Sequence, residues 1–161
     1  MVPNVATRPI TVGVGAFLVR DGKLLAVRKT YGPSKGQWTI PSGYVEPDES
    51  IVQTVQREVK EETNVTGRAG SMLAVRNRVT ERANDTFLVF RMAYVSGEPK
   101  PDLTEVSEAA FVPLDDLAGA GDSAAFTRAV VPRLADAPGL SLDAYRPPSE
   151  AEDPRAYLLY L

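Results

Sequence analysis

The sequence predicts an α/β fold in which a mixed β-sheet lies sandwiched between helices. Three observations predict it. A β-hairpin signal opens the chain. One amphipathic helix separates that hairpin from a second pair of β-rich stretches. A short strand and a closing helix then follow. The 161 residues read as one domain, 1–161, long enough for a real core, with an irregular lead-in over 1–9 and a C-terminal tail over 137–161.

Each element has a local reason. Ile10 to Val19 is β-rich, and Gly13 and Gly15 permit close backbone approach. Asp21-Gly22 is a hairpin turn signal, with Lys23 to Arg28 as the returning strand. Tyr31 to Gly36 is a loop, Trp38 to Ile40 is short and extended, and Pro41-Ser42-Gly43 is a turn. The helix runs from Glu49 or Ser50 to Thr63, because Ile51, Val52, Val55 and Val59 recur at helical spacing. Pro47 precedes its start, where Asp48 and Glu49 suit the helix dipole. Arg68 to Val79 and the nearly continuous apolar run Thr86 to Val95 are strands flanking a polar turn. Ala109 to Val112 is a short strand, Pro113 to Leu117 begins a short helix, and Ser123 to Ala135 is a closing helix with a kink at Pro132. Residues 137–156 are rich in Pro, Asp and Glu and read as irregular. The apolar end, Ala156 to Leu161, should dock on the body or on a second copy in a homodimer.

Composition narrows the chemistry. A net charge of −3 argues against a nucleic-acid binder. No apolar run approaches the roughly 20 residues of a membrane span, so a cytoplasmic protein is expected. The chain has no cysteine and no histidine. That removes disulfides, Ser-His-Asp and Cys-His catalysis, and makes a structural zinc site unexpected. A base acting near neutral pH must be a carboxylate, a lysine or metal-bound water.

The acids of the central helix are placed to meet that need. With Glu58 at zero and about 100° per residue, Glu61 falls near −60° and Glu62 near +40°. Ile51 and Val55 fall near about +20° and +60°, so Glu62 is flanked by apolar residues. Like charges at these spacings cost about 0.2–0.5 kcal/mol per pair even when exposed, and burial raises the cost. A hard divalent cation such as Mg²⁺ between them would turn that cost into a binding site. Arg57, four residues before Glu61, can hold that carboxylate.

Gly43 to Val65 resembles the Nudix box, G-x5-E-x7-R-E-U-x-E-E-x-G-U, where U is bulky and apolar. Gly43, Glu49, Arg57, Glu58, Val59, Glu61, Glu62 and Val65 fall on it. Asn64 stands where the family has glycine, and asparagine is the next-best residue for a left-handed helix cap. The approach from Trp38 to Gly43 resembles the family's W-x-x-P-G-G, with Ser42 in place of the first glycine. The resemblance implies a Nudix-like α/β/α sandwich and divalent-metal-dependent hydrolysis of a phosphoanhydride in a nucleoside diphosphate linked to a group X, with Mg²⁺ or Mn²⁺ as cofactor. It implies Glu58 and Glu62 as principal metal ligands and Glu61 as ligand or base, with Arg57 orienting it. The Gly43 carbonyl would complete the ion site and Glu49 would support the box. A further ligand or base is expected from Glu105 first and Glu108 second.

Substrate contacts are open between two readings each. Arg28, Arg76, Arg78 and Arg82 can meet phosphates or simply be solvated, and Trp38 can stack on a base or pack under the box. ADP-ribose or a nucleotide sugar is the favoured substrate type. A nucleoside triphosphate, or a ligand-binding module with little catalysis, is the alternative.

Overall fold

A computed structural model describes residues 8–145, 147 and 157–161. Most of the expected lead-in, and the 148–156 part of the acidic stretch, lie outside the described residues. The fold is a seven-stranded mixed sheet built around β1 (Ile10–Arg20). β1 pairs antiparallel with β2 (Lys23–Lys29) and β4 (Ser42–Tyr44), and parallel with β6 (Asn84–Ser96). β6 carries the long antiparallel edge strand β5 (Thr66–Val79), while β2 carries β3 (Trp38–Thr39) and β7 (Val106–Pro113). The β1–β2 turn is the expected one: Asp21 and Gly22 both have positive φ, 52° and 74°.

Helices cover both faces, so the sandwich expectation holds. Even-numbered β1 residues Val14, Ala16 and Leu18 pack with Phe90 and Met92 against Val55 and Val59 of α1 (Ile51–Thr63). On the opposite face Phe17, Val89 and Ile40 pack against Leu117 of α2 (Leu114–Gly119) and against Val131 and Leu134. α1 starts at Ser50 with a capping box: Gln53 N–H donates to the Ser50 hydroxyl, and Ser50 N–H donates to the Gln53 side chain. It ends at Asn64, left-handed at φ 60°, whose N–H donates to the Lys60 carbonyl.

Three expectations need correction. The turn over residues 41–43 contains a strand, because β1 is long enough to pair β4 along its first half and β2 at its end. The closing helix is two pieces, α3 (Ala125–Ala129) and a 3₁₀ turn (Val131–Leu134). Pro132 lacks the N–H that a continuous α-helix would bond back to residue 128. The intended buried side survives the break, since Phe126, Val130 and Leu134 all meet the second core. β5 begins at Thr66 rather than Arg68. At the C-terminus, Tyr160 packs edge-on against Phe90, and Leu142 bridges to Tyr160. The apolar end therefore docks on its own chain.

Candidate active site

Glu58 and Glu62 stand one turn apart on α1 and face inward, 7% and 1% exposed. They meet the start of β4. A Cβ on Gly43 would overlap the Glu58 carboxylate, so only glycine lets that acid lie against the strand. Next to it, Ser42 N–H donates to Glu62 Oε2 at 3.1 Å. The end of β2 contributes Lys29, only 7% exposed. Its Nζ is ion-paired with Glu62 Oε1 and also donates to the Ser42 carbonyl at 2.9 Å. The bend before β7 brings Glu105. Glu58, Glu62 and Glu105 each offer a carboxylate oxygen, and these oxygens lie within 4.8 Å of one another.

Two sets of hydrogen bonds hold the acids in place. Arg57 forks onto Glu49, Nε to Oε2 at 2.9 Å and NH2 to Oε1 at 2.7 Å, while its NH1 reaches Glu58 and Glu61 at 2.9 Å each. The Glu105 loop is pinned from both sides. Thr30 N–H donates to the Glu105 carbonyl at 2.9 Å, and the Asp102 carboxylate accepts from the N–H groups of Thr104, Glu105 and Val106. The Tyr31 hydroxyl donates to Glu105 Oε2 at 3.3 Å.

Burial dominates the electrostatics. It pushes Glu62 up to about 7, against the pull of Lys29 and the Ser42 N–H, and Glu58 also rises, against Arg57. The Arg57 fork holds Glu49 below its ordinary value and keeps the guanidinium charged. Burial first, then the charge of Glu105, pushes the Tyr31 phenol up to about 12. Two inward-facing carboxylates and a third acid thus share one small space with a single buried ammonium. An all-oxygen donor set of this charge fits a hard divalent cation.

The structure sorts the sequence candidates. Glu58, Glu62 and Glu105 come together. Glu61 does not join them: it sits on Arg57 with its side chain 58% exposed, because the 100° step from Glu62 turns it off the buried face. Glu108 lies on β7 and pairs with Arg28 at 2.9 Å. The Ser42 carbonyl, one residue before the expected Gly43, accepts from Lys29. Gly43 itself contributes room. Arg28 is held by Glu108, by Asp122 at 2.8 Å and by the Gly36 carbonyl, and it lies over the half-buried Trp38 ring. Arg76 pairs with Asp85 at 2.5 Å over Phe87, on the sheet face that carries α3 rather than α1, and Arg78 is exposed beside it. Sequence reasoning missed Lys29 and Tyr31. A basic residue and a tyrosine at the end of a strand give no local sign of burial or partnership.

A NUDIX domain family model matches residues 9–134. An ADP-ribose pyrophosphatase of Methanocaldococcus jannaschii is 32% identical over 108 residues, 66% of this chain and 63% of that protein. An 8-oxo-dGDP phosphatase of Homo sapiens is 29% identical over 106 residues, 66% of this chain and 33% of that protein. This chain therefore spans less than two thirds of the length of these curated relatives. The crystal structure of a MutT NUDIX hydrolase from Burkholderia pseudomallei superposes with a TM-score of 0.68 at 27% identity, covering 78% of this chain and 98% of that one. Among the described residues no helix is long and apolar enough to cross a membrane. The family match takes in all seven strands and every acid of the site, and the chain belongs to the Nudix family.

Proposed function

We propose that this protein is a divalent-metal-dependent pyrophosphohydrolase that cleaves the phosphoanhydride of a nucleoside diphosphate linked to X. The observation that carries this reading is the convergence of Glu58, Glu62 and Glu105, two of them buried, on one space. These three residues would hold Mg²⁺ or Mn²⁺, with the Ser42 or Gly43 carbonyl as a backbone donor. When bound, the ion supplies charge neutralisation for phosphate oxygens and a more acidic water.

The chain's own residues do the rest. Arg57 fixes Glu49, Glu58 and Glu61 as one rigid unit, so the acids need not reorganise as charge develops. Glu105, the exposed member of the cluster, and Glu61, exposed on Arg57, are the two candidates for the base. One of them takes the proton of the attacking water, and comparing Glu61→Gln with Glu105→Gln identifies which. ADP-ribose or a nucleotide sugar is the favoured substrate, supported by the archaeal relative. A nucleoside triphosphate or an oxidised nucleotide is the second reading, supported by the human relative named for 8-oxo-dGDP.

The test is a phosphate-release screen with Mg²⁺ or Mn²⁺ across ADP-ribose, nucleotide sugars, and canonical and oxidised nucleotides. Glu62→Gln is expected to fold and to lower turnover at least about 100-fold. Normal turnover by that variant would remove the assignment of the site. No turnover on any substrate, with metal binding retained, would leave a binding module.

A further inference from the structure

The last residue of β2 and the two that follow it each address the acid cluster. Lys29 pairs with Glu62. Thr30 fixes the Glu105 backbone, its N–H donating to the Glu105 carbonyl and its hydroxyl to the Thr104 carbonyl at 2.6 Å. Tyr31 then directs its hydroxyl to the Glu105 carboxylate. The loop carrying Tyr31 is closed behind it, since Gly36 N–H donates to the Lys29 carbonyl at 2.8 Å. The tyrosine backbone is therefore anchored at both ends. Glu105 is the one exposed acid of the three and is contributed by a loop rather than by α1. Thr30 and Asp102 hold its main chain, which leaves the direction of its carboxylate still to be set. A phenol carries its proton at neutral pH and a carboxylate can only accept, so the hydrogen bond has a fixed direction.

We propose that Tyr31 is a positioning residue: its hydroxyl, donating to Oε2, holds the Glu105 carboxylate turned toward Glu58 and Glu62. The inference rests on the reading of the three acids as an ion site. It gives the 54%-exposed tyrosine a purpose that packing does not require.

The test compares the full chain with Tyr31→Phe, Glu105→Ala, the double variant and Glu62→Gln. Mn²⁺ binding is measured by calorimetry without nucleotide, and kcat and KM on the substrate found in the screen. Tyr31→Phe is expected to weaken Mn²⁺ binding about tenfold, the low end for losing a residue that orients a metal ligand. It should lower kcat to a similar extent at unchanged KM, with an unchanged unfolding midpoint. In the Glu105→Ala background the same substitution should change neither quantity. Tyr31→Phe binding Mn²⁺ and turning over like the wild type would overturn the proposal. So would additive effects in the double variant. A rise in KM with kcat and Mn²⁺ affinity intact would also overturn it and make the ring a substrate contact. Glu62→Gln separates the two levels. If that variant has lost Mn²⁺ binding and turnover while Tyr31→Phe has lost neither, the positioning role alone is wrong. If Glu62→Gln binds Mn²⁺ and turns over normally, the ion site itself is wrong.

Discussion

Replacing Lys29 by methionine tests the electrostatic account of the site without touching an acid. Methionine keeps an unbranched, flexible stem and removes the charge. Glu62 sits at about 7 with Lys29 beside it, well above an ordinary carboxylate, because burial outweighs the ion pair. Its folded pKa thus exceeds its unfolded one. The native state holds the proton more tightly than the unfolded chain, so in metal-free protein this group costs stability as pH rises. In the wild type the loss begins near the ordinary carboxylate value and stops once pH passes about 7. Without Lys29 the folded pKa climbs further, and the loss continues to higher pH. At pH 7 the variant escapes most of the penalty by keeping Glu62 protonated. Above that the two proteins diverge by about 1.4 kcal/mol per pH unit. Between about pH 7 and pH 8.5 the gap reaches about 2 kcal/mol, or roughly 4–8 °C in unfolding midpoint for a chain of this size. The assay is thermal unfolding in chelator at both pH values, repeated with excess Mg²⁺. The added cation should collapse the gap by taking over the neutralisation of Glu62. An offset that is the same at both pH values, or that persists in Mg²⁺, would refute the reasoning and make Lys29 a packing residue.

Substitutions at two further positions probe the backbone that carries the site. Gly43→Ala sets a Cβ on top of the Glu58 carboxylate. It is expected to displace that acid and abolish Mn²⁺ binding in calorimetry, while the unfolding midpoint in chelator changes little. Asn64→Ala places alanine at φ 60° and removes the side-chain contact with Lys60. It should cost about 1 kcal/mol, a fall of roughly 2–4 °C, whereas Asn64→Gly should stay within about 0.5 kcal/mol of the wild type.

The fold was largely legible because its local signals agree. Asp21-Gly22 can hardly do anything but turn, and the spacing of Ile51, Val55 and Val59 allows only one buried helix face. The errors fall where tertiary pairing overrides a local pattern. Pro41-Ser42-Gly43 reads as a turn because Pro and Gly punctuate it, yet β1 extends past β2 and recruits Ser42–Tyr44 as a strand. Pro132 announces a disruption, but whether a helix bends or splits depends on what its flanks pack against, here the core around Leu117.

The site divides along the same line. Adjacent glutamates on α1 have opposite fates, and the helix period alone explains why. Glu62 shares the angular range of the apolar stripe and becomes 1% exposed, while Glu61, one step of 100° away, stays in solvent on Arg57. That distinction could be drawn from the sequence. The partner of Glu62 could not. All four residues of β2 from Leu24 to Val27 are buried, so both faces of the strand are covered and no alternation marks which way Lys29 points. Arg28 and Lys29 are successive strand residues whose side chains leave opposite faces, so Arg28 reaches Glu108 and Asp122 while Lys29 turns inward to Glu62, 33 positions along the chain. The pleat is thus what separates two neighbouring cations into an outer clamp and an inner counterion. A buried acid implies that some cation faces it, but only the pairing of strands decides which one.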